Sequence, residues 1–277
     1  MAINLASKYS KQIQTAYVRE SLVAGRLSNN YDFSGVKTVV VYTPTTVAMN
    51  DYNRSGTNRY GTPTEMEDTK QELTMTQDKS FALTIDKGNN DDQMNIKAAG
   101  KMLRLQMAER AVPLFDKYVL GVLATKAGKI NESTTELSKS NVCERISAGT
   151  EHLDDNEVPD SGRTLWVTAA VYKHLKHSEE FMAVERLADK AIAKGEVGTY
   201  DNMTVIKVPK SRMPENVNFI IAHRDAATAP VKMSETNVHP NPPGISGHLI
   251  EGRERYDCFV FEAKKQGVYV DKKKSST

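Results

Sequence analysis

The sequence is poor in cysteine and aromatic residues and has no long apolar run. Only two cysteines, Cys143 and Cys258, occur among 277 residues, which excludes a small secreted domain built on disulfides. We expect two buried thiols, although a Cys–His pair formed in space stays open. No stretch approaches the roughly 18 apolar residues of a membrane span, and the first residues carry no signal-peptide core. We therefore expect no membrane contact and a protein that stays where it is made.

Neither sign of charge dominates. Lys and Arg total 37 and Asp and Glu total 35, which gives a formal net charge of +2. This balance argues against a strongly basic nucleic-acid binder and against an acidic disordered chain. The length allows one large domain or two domains of roughly 150 residues.

The common signatures of nucleotide and hydrolase sites are also missing. The sequence has no phosphate loop, no Gly-x-Gly-x-x-Gly after a strand and no Gly-x-Ser-x-Gly, so we assign no catalytic or cofactor-binding residue. His174 and His177 lie three apart on a predicted helix near Glu179 and Glu180. A solvated helix end is favoured over half a metal site because no cysteine pair or third histidine is near. We assign no metal ligand.

Two further charged segments are interpreted as solvated. The carboxylates within 65–72 crowd one loop, whereas a general acid and base need different environments. Lys207, Lys210 and Arg212 could touch phosphates, but an ordinary charged loop is favoured.

The first third of the chain predicts parts that project. Residues 1–30 carry few apolar residues and a charge of +3, and they allow a helix over about 9–24 that cannot bury much on its own body. The β-branched stretch 36–47 predicts a strand. The polar stretch 50–71 predicts a functional or disordered loop. Strict alternation over 73–85 predicts a strand that pairs with 36–47 in one long hairpin.

The remainder predicts a body of mixed class. Apolar spacing predicts one long helix over 91–127, kinked or divided at Pro113. Residues 141–252 alternate between helices and strands, as in an α/β or α+β domain. Closing strands are predicted at 256–262 and 267–270.

The arm and the hairpin carry opposite charge. Residues 51–100 have a net charge of −3 against +3 for the arm, which suits contact between subunits, and head-to-tail contacts of this sort close rings or extend lattices. The candidate intersubunit contacts are Lys8, Lys11, Arg19, Arg26, Asp51, Arg54, Arg59, Glu65, Glu67 and Asp68.

The order of these parts resembles the major capsid protein of tailed bacteriophages, whose shell fold is shared with herpesvirus capsids. The resemblance covers most of residues 10–270. The stretches that carry it are 73–81 (LTMTQDKSF), 112–118 (VPLFDKY), 162–167 (GRTLWV), 252–261 (GRERYDCFVF) and 267–270 (GVYV).

The resemblance implies the α+β fold of that family and its division into parts. These are an N-terminal arm (1–30), an extended loop hairpin (31–90), a peripheral domain with a long spine helix (91–140), an axial domain (141–252), and return strands with a tail (253–277). The arm and the loop tip, at about 45–72, would clasp neighbouring subunits.

The resemblance also implies a structural protein of the virion rather than an enzyme. Copies would form the hexamers and pentamers of an icosahedral shell around double-stranded DNA, without sequence-specific binding, in the host bacterial cytoplasm. A separate scaffolding protein, a portal and a decoration protein are the implied partners. The alternatives are an α/β-type enzyme with its site in 141–252 and another ring-forming phage structural protein.

Overall fold

A computed structural model shows the architecture. The residues that it describes are 20–31, 33, 38–92, 98–178 and 196–274. Residues 179–195 of the region predicted to alternate between helices and strands lie outside these residues, as does most of the predicted helix over 9–24. The described part of that helix, 20–24, forms bends and a turn.

Thirteen strands and five α-helices make up the described chain. The strands are β1 (Thr38–Pro44), β2 (Asp68–Thr74), β3 (Gln77–Asp86), β4 (Lys129–Ser133), β5 (Arg163–Thr168), β6 (Glu196–Tyr200), β7 (Met203–Val208), β8 (Val217–His223), β9 (Ala227–Thr228), β10 (Val231–Pro240), β11 (Gly247–Tyr256), β12 (Phe259–Val260) and β13 (Val268–Lys273). The helices are α1 (Lys87–Asp92), α2 (Ala99–Gln106), α3 (Val112–Lys126), α4 (Val142–Asp155) and α5 (Ala169–Lys176).

A six-stranded mixed sheet forms the middle layer of the body. Its order is β4-β13-β8-β5-β7-β6, and the β13–β4 and β5–β7 pairs are parallel. Alternate residues of one strand enter different cores: Trp166 packs with α3 residues and Leu165 with α4 and α5 residues. Both faces of the sheet are therefore covered, which explains why five of the six residues of β5 are buried.

The long helix is divided as Pro113 predicts. Residues Met107–Ala111 form a π-helical turn between α2 and α3, and the Val112 amide bonds back five residues to the Met107 carbonyl. Pro113 follows in the first turn of α3. Since proline lacks an amide hydrogen and its ring crowds the preceding turn, a widened turn there relieves the conflict. The predicted single helix from 91 is wrong at its start, because α1 begins at Lys87 and α2 at Ala99.

The predicted long hairpin is also corrected. The strand expected over 73–85 breaks at Met75 and Thr76, so that β2 pairs with β1 whereas β3 pairs with β11. The burial of alternate side chains continues through the break, which is why the sequence pattern shows one strand. The extended part is therefore the short β1–β2 ribbon with loop 45–67, which we call the hairpin.

The closing strand predicted at 267–270 is present as β13, whereas 256–262 contains, besides the last residue of β11, only the two-residue β12, which pairs with β9. β11 forms a three-stranded sheet with β10 and β3, and β13 inserts between β4 and β8. β13 thus pairs with one strand from 91–140 and one from 141–252.

Candidate subunit-contact surface

The hairpin tip is folded on itself rather than structureless. The Asn53 amide donates to the Arg59 carbonyl at 3.0 Å, and the Tyr52 and Tyr60 rings meet edge to face at 5.0 Å between centroids. Gly61 has a φ of +84°, and a Cβ there would lie 2.6 Å from Asn50 Nδ2. The tip thus has a defined turn that depends on glycine.

The hairpin carries most of the large apolar side chains that the described chain leaves exposed. Among the described residues, seven of the ten exposed large hydrophobics lie on it, and Met49 is 99% and Tyr60 86% exposed. The seven are Val40, Tyr42, Val47, Met49, Tyr52, Tyr60 and Met66. Exposed apolar surface gathered on one projection marks a site that a partner covers. The interpretation of 50–71 as a polar stretch gave no weight to Tyr52, Tyr60 and Met66, which lie within it.

The six loop residues among the candidate contacts are all exposed on the same projection. Arg59 Nε donates to the Gly56 carbonyl at 3.2 Å within the tip, and Asp68 is the first residue of β2. Beside them on the ribbon, Lys70 and Glu72 form an ion pair at 2.6 Å. The hydrogen bond from Lys70 lowers the pKa of Glu72.

The candidate contacts on the arm are not exposed as those on the loop are, as far as the structure describes them. Lys8, Lys11 and Arg19 lie outside the described residues, and Arg26 is half-buried. The stretch 20–28 packs into the body, where apolar side chains enter the core beside α3: Leu22, Val23 and Leu27. The expectation that residues 1–30 cannot bury on their own body is wrong for this stretch.

A buried carboxylate on α3 holds this anchored stretch. Asp116 accepts hydrogen bonds from the Ser21 hydroxyl at 2.6 Å and the Leu22 amide at 3.0 Å. Arg212 pairs with Asp116 at 2.7 Å, which corrects the interpretation of Arg212 as part of a solvated loop. The Trp166 indole N–H donates to the Leu22 carbonyl at 3.0 Å. Three side chains of the body, Asp116, Trp166 and Arg212, therefore hydrogen-bond to the backbone of this stretch.

The base of the hairpin is held by apolar and polar contacts together. Leu73 and Met75 form a small core with Phe33 and Phe261. The Gln71 side-chain amide donates to the Val260 carbonyl and accepts from the Glu262 amide, both at 3.0 Å.

A second buried carboxylate, Asp257, lies where hairpin, helix and sheet meet. One oxygen accepts from the Thr76 amide at 2.7 Å and hydroxyl at 2.9 Å. The other accepts from the Tyr118 hydroxyl at 2.6 Å and the Cys258 amide at 2.7 Å. Burial, together with the bond to Asp257, raises the pKa of Tyr118 to about 12.

The two cysteines are buried, as predicted. The Cys143 thiol donates to the Ser178 hydroxyl at 3.1 Å. Burial first, and the charge of Asp257 second, raises the pKa of Cys258, and Cys258 lies between β11 and β12 rather than within a strand. His174 lies in the last turn of α5, and His177 directly follows that helix.

No group of three or more His, Cys, Asp or Glu side chains is placed to hold a metal ion within the part of the chain that the structure describes. Over the same residues, no helix combines the length and apolar character needed to cross a membrane.

Comparisons with known proteins identify the fold through structure alone. No family model matches the sequence, and no curated protein matches it. A solved structure titled "Mycobacterium phage Che8" aligns with a TM-score of 0.74 at 14% identity, over 96% of each chain.

Two further solved structures carry the word capsid in their titles. The capsid structure of the cyanophage P-SCSP1u aligns with a TM-score of 0.73 at 12% identity, over 98% of this chain and 93% of that one. The asymmetric unit of the bacteriophage PhiM1 mature capsid gives 0.74 at 11%, with the same coverage. Since the matches span nearly the full length, the chain shares the mixed helix-and-sheet fold of these phage capsid structures.

Proposed function

We propose that this chain is a major capsid protein, a structural subunit that self-assembles into the hexamers and pentamers of an icosahedral phage head around double-stranded DNA. The observation that carries the proposal is the full-length match to phage capsid structures. The hairpin adds support, because it exposes apolar side chains that its own body does not cover. A fold alone does not fix a function, so the proposal rests on both observations.

The hairpin would make the principal contact between neighbouring subunits. Burying an exposed Met or Tyr side chain against a partner contributes roughly 1.5–3 kcal/mol each. The loop charges, from Asp51 to Asp68, and the arm charges of Lys8, Lys11, Arg19 and Arg26 would then set the register of the contact more than its strength. A contact between two different surfaces of one chain repeats from copy to copy, as a closed shell requires.

The remaining partners follow from this role. The axial domain over 141–252 would lie at the centre of each capsomer, and the peripheral domain would carry the spine helix. A separate scaffolding protein, a portal and a decoration protein would bind the shell, which forms in the host cytoplasm. The near-neutral charge of +2 suits a shell that encloses DNA without reading its sequence.

Deleting residues 52–65 tests the role of the hairpin. We expect a folded protein, because these residues are exposed and contribute little to the core, but no particles in negative-stain images or light scattering. Far-UV circular dichroism and thermal unfolding check that the body is intact. A deletion variant that still forms shells contradicts the role of the hairpin.

The intact chain tests the function itself. We expect capsomers, shells or tubes at high concentration, alone or with a scaffolding protein. A strictly monomeric chain under both conditions contradicts the shell function, and isolated rings without shells favour another ring-forming structural protein. Cys143, the cysteine within 141–252 that an enzyme with its site there could use, is buried, and its thiol bonds to the Ser178 hydroxyl.

A further inference from the structure

The hairpin leaves the body at a break between two strands. The β1–β2 pairing ends at Thr74, and the β3–β11 pairing begins at Gln77 opposite Tyr256. Thr76 therefore lies between two ladders, where its amide has no strand partner. Thr76 is exposed, but its amide donates to a protein acceptor, the Asp257 carboxylate, at 2.7 Å.

Asp257 supplies that acceptor because it follows Tyr256, the residue at which β11 ends. Its carboxylate is 3% exposed and accepts four hydrogen bonds of 2.6–2.9 Å. A carboxylate offers about four acceptor positions, so the side chain is fully used by its protein partners.

The two oxygens divide these donors between two elements. Oδ2 accepts both bonds from Thr76 at the hairpin, whereas Oδ1 accepts the hydroxyl of Tyr118 on α3. We infer that Asp257 is a positioning residue that fixes the direction of the hairpin relative to α3.

The other contacts at the hairpin base do not perform this task. The packing of Leu73 and Met75 against Phe33 and Phe261 is apolar, and apolar contact is not directional. The Gln71 amide is directional, but it bonds to the backbone at 260 and 262 rather than to α3. Charge-assisted bonds to a buried carboxylate are both directional and stronger.

The consequence for assembly rests on the proposed function. The seven residues of β1 span about 23 Å at roughly 3.3 Å per residue. A tilt of about 10° at Thr76 would therefore move the far end of the ribbon by about 4 Å. A shift of that size separates a matched contact from a mismatched one, so the joint would decide which surface of a neighbour the tip reaches.

Distance measurements on the unassembled chain test the joint directly. Spin labels are placed at Ser55→Cys in the tip and Glu151→Cys on α4, both exposed positions. The native cysteines are buried, so labelling is selective. Pulsed electron resonance then compares the parent chain with Asp257→Asn, Tyr118→Phe and Thr76→Val.

Each joint variant should broaden the tip-to-body distance distribution or shift it by about 4 Å or more. Ser21→Ala is the matched control: it removes a bond to Asp116 on the same helix, and its distribution should equal that of the parent. If Asp257→Asn does not fold, Tyr118→Phe and Thr76→Val decide, since each removes one hydroxyl.

Distributions that stay unchanged in folded Tyr118→Phe and Thr76→Val overturn the inference, and so does an equal change in Ser21→Ala. Because the readout needs no particle, it separates this inference from the proposed shell. A chain that forms no shell can still show the joint, and a shell-forming chain can still lack it.

Discussion

Asp116, Asp257 and Asp271 are almost completely buried in the body, whereas Met49 and Tyr60 on the hairpin are almost completely exposed. Both placements are unusual, because carboxylates are mostly exposed in folded proteins and large apolar side chains are mostly buried. Every one of the three carboxylates is hydrogen-bonded to a segment distant in sequence. Buried charge in this fold therefore connects segments within one chain, whereas the exposed apolar surface is where the proposed contact with another subunit would form.

Asp271 shows this connection within one chain most fully. It accepts from Arg145 Nη2 at 2.6 Å, from Asn131 at 3.0 Å and from Asn218 at 2.7 Å. These partners come from α4, β4 and β8, all packed around β13. One carboxylate thus ties three elements to the strand that carries it.

The largest effect is expected on the hairpin and concerns assembly alone. We expect the double variant Met49→Ser with Tyr60→Ser to lower the assembled fraction at least tenfold, because two anchors of roughly 1.5–3 kcal/mol each are lost. The free energy of unfolding should change by less than about 0.5 kcal/mol, since the positions are exposed. Sedimentation velocity and urea unfolding measure the two quantities. Ser55→Ala in the same tip is the control. Equal assembly of the parent chain, the double variant and the control would refute the proposed contact through the hairpin.

The next effect belongs to the body and concerns stability. Asp271→Ala leaves Arg145 buried without its carboxylate, and we expect a loss of about 3–5 kcal/mol in urea unfolding. Glu132→Ala removes an ion pair with Lys272 whose Glu side chain is 48% exposed, so a far smaller loss is expected. Similar losses of unfolding free energy in the two variants would contradict the expectation that the buried ion pair stabilises the fold more than the exposed one.

Two glycines give effects of opposite sign. A Cβ at Gly149 on α4 would lie 2.6 Å from Ile221 Cδ1, whereas one at Gly121 on α3 would meet nothing within 4 Å. We expect Gly149→Ala to cost about 1–3 kcal/mol through overpacking. Gly121→Ala should stabilise by roughly 0.5–1 kcal/mol through helix propensity. Thermal unfolding of both variants measures the difference, and a destabilised Gly121→Ala would contradict the open space on α3.

The smallest effect is the pH dependence of the hairpin joint. Because the pKa of Tyr118 is raised from 10.0 to about 12 in the folded chain, its contribution to stability is complete below pH 10 and is lost as the pH rises towards 12. We expect the difference in unfolding free energy between the parent and Tyr118→Phe to shrink over that range. Burial also raises the pKa of Tyr256 and Tyr269, so the comparison with Tyr118→Phe isolates one residue. A constant difference from pH 9 to 12 would contradict the raised pKa.

Sequence patterns predicted the elements better than their partners. Alternation located β3, and the spacing around Pro113 located both the helix and its irregular turn. Neither pattern shows that the chain changes partner at Thr76, because the buried parity of Leu73 and Met75 runs on into β3. Pairing between distant strands is decided by the whole fold rather than by local periodicity.

The joints were hidden for a related reason. Asp116, Asp257 and Arg212 are ordinary charged residues in the sequence, and only their three-dimensional neighbours make them buried. Two joint residues nevertheless lie in one stretch that carries the resemblance, since 112–118 contains Asp116 and Tyr118. The exposed apolar residues of the tip were overlooked because they are scattered among polar neighbours.

The position of β13 has a consequence for how the chain is made. Ile130 pairs with Val270, 140 residues later, and the mount of the hairpin uses Asp257 and Phe261. During synthesis, β1, β2 and β4 therefore emerge from the ribosome long before the residues that hold them in place, which are Asp257, Phe261 and those of β13. The hairpin gains its base only once residue 261 has been synthesised, and the central sheet is complete only once β13 has been synthesised, so the whole body can fold only after both segments exist.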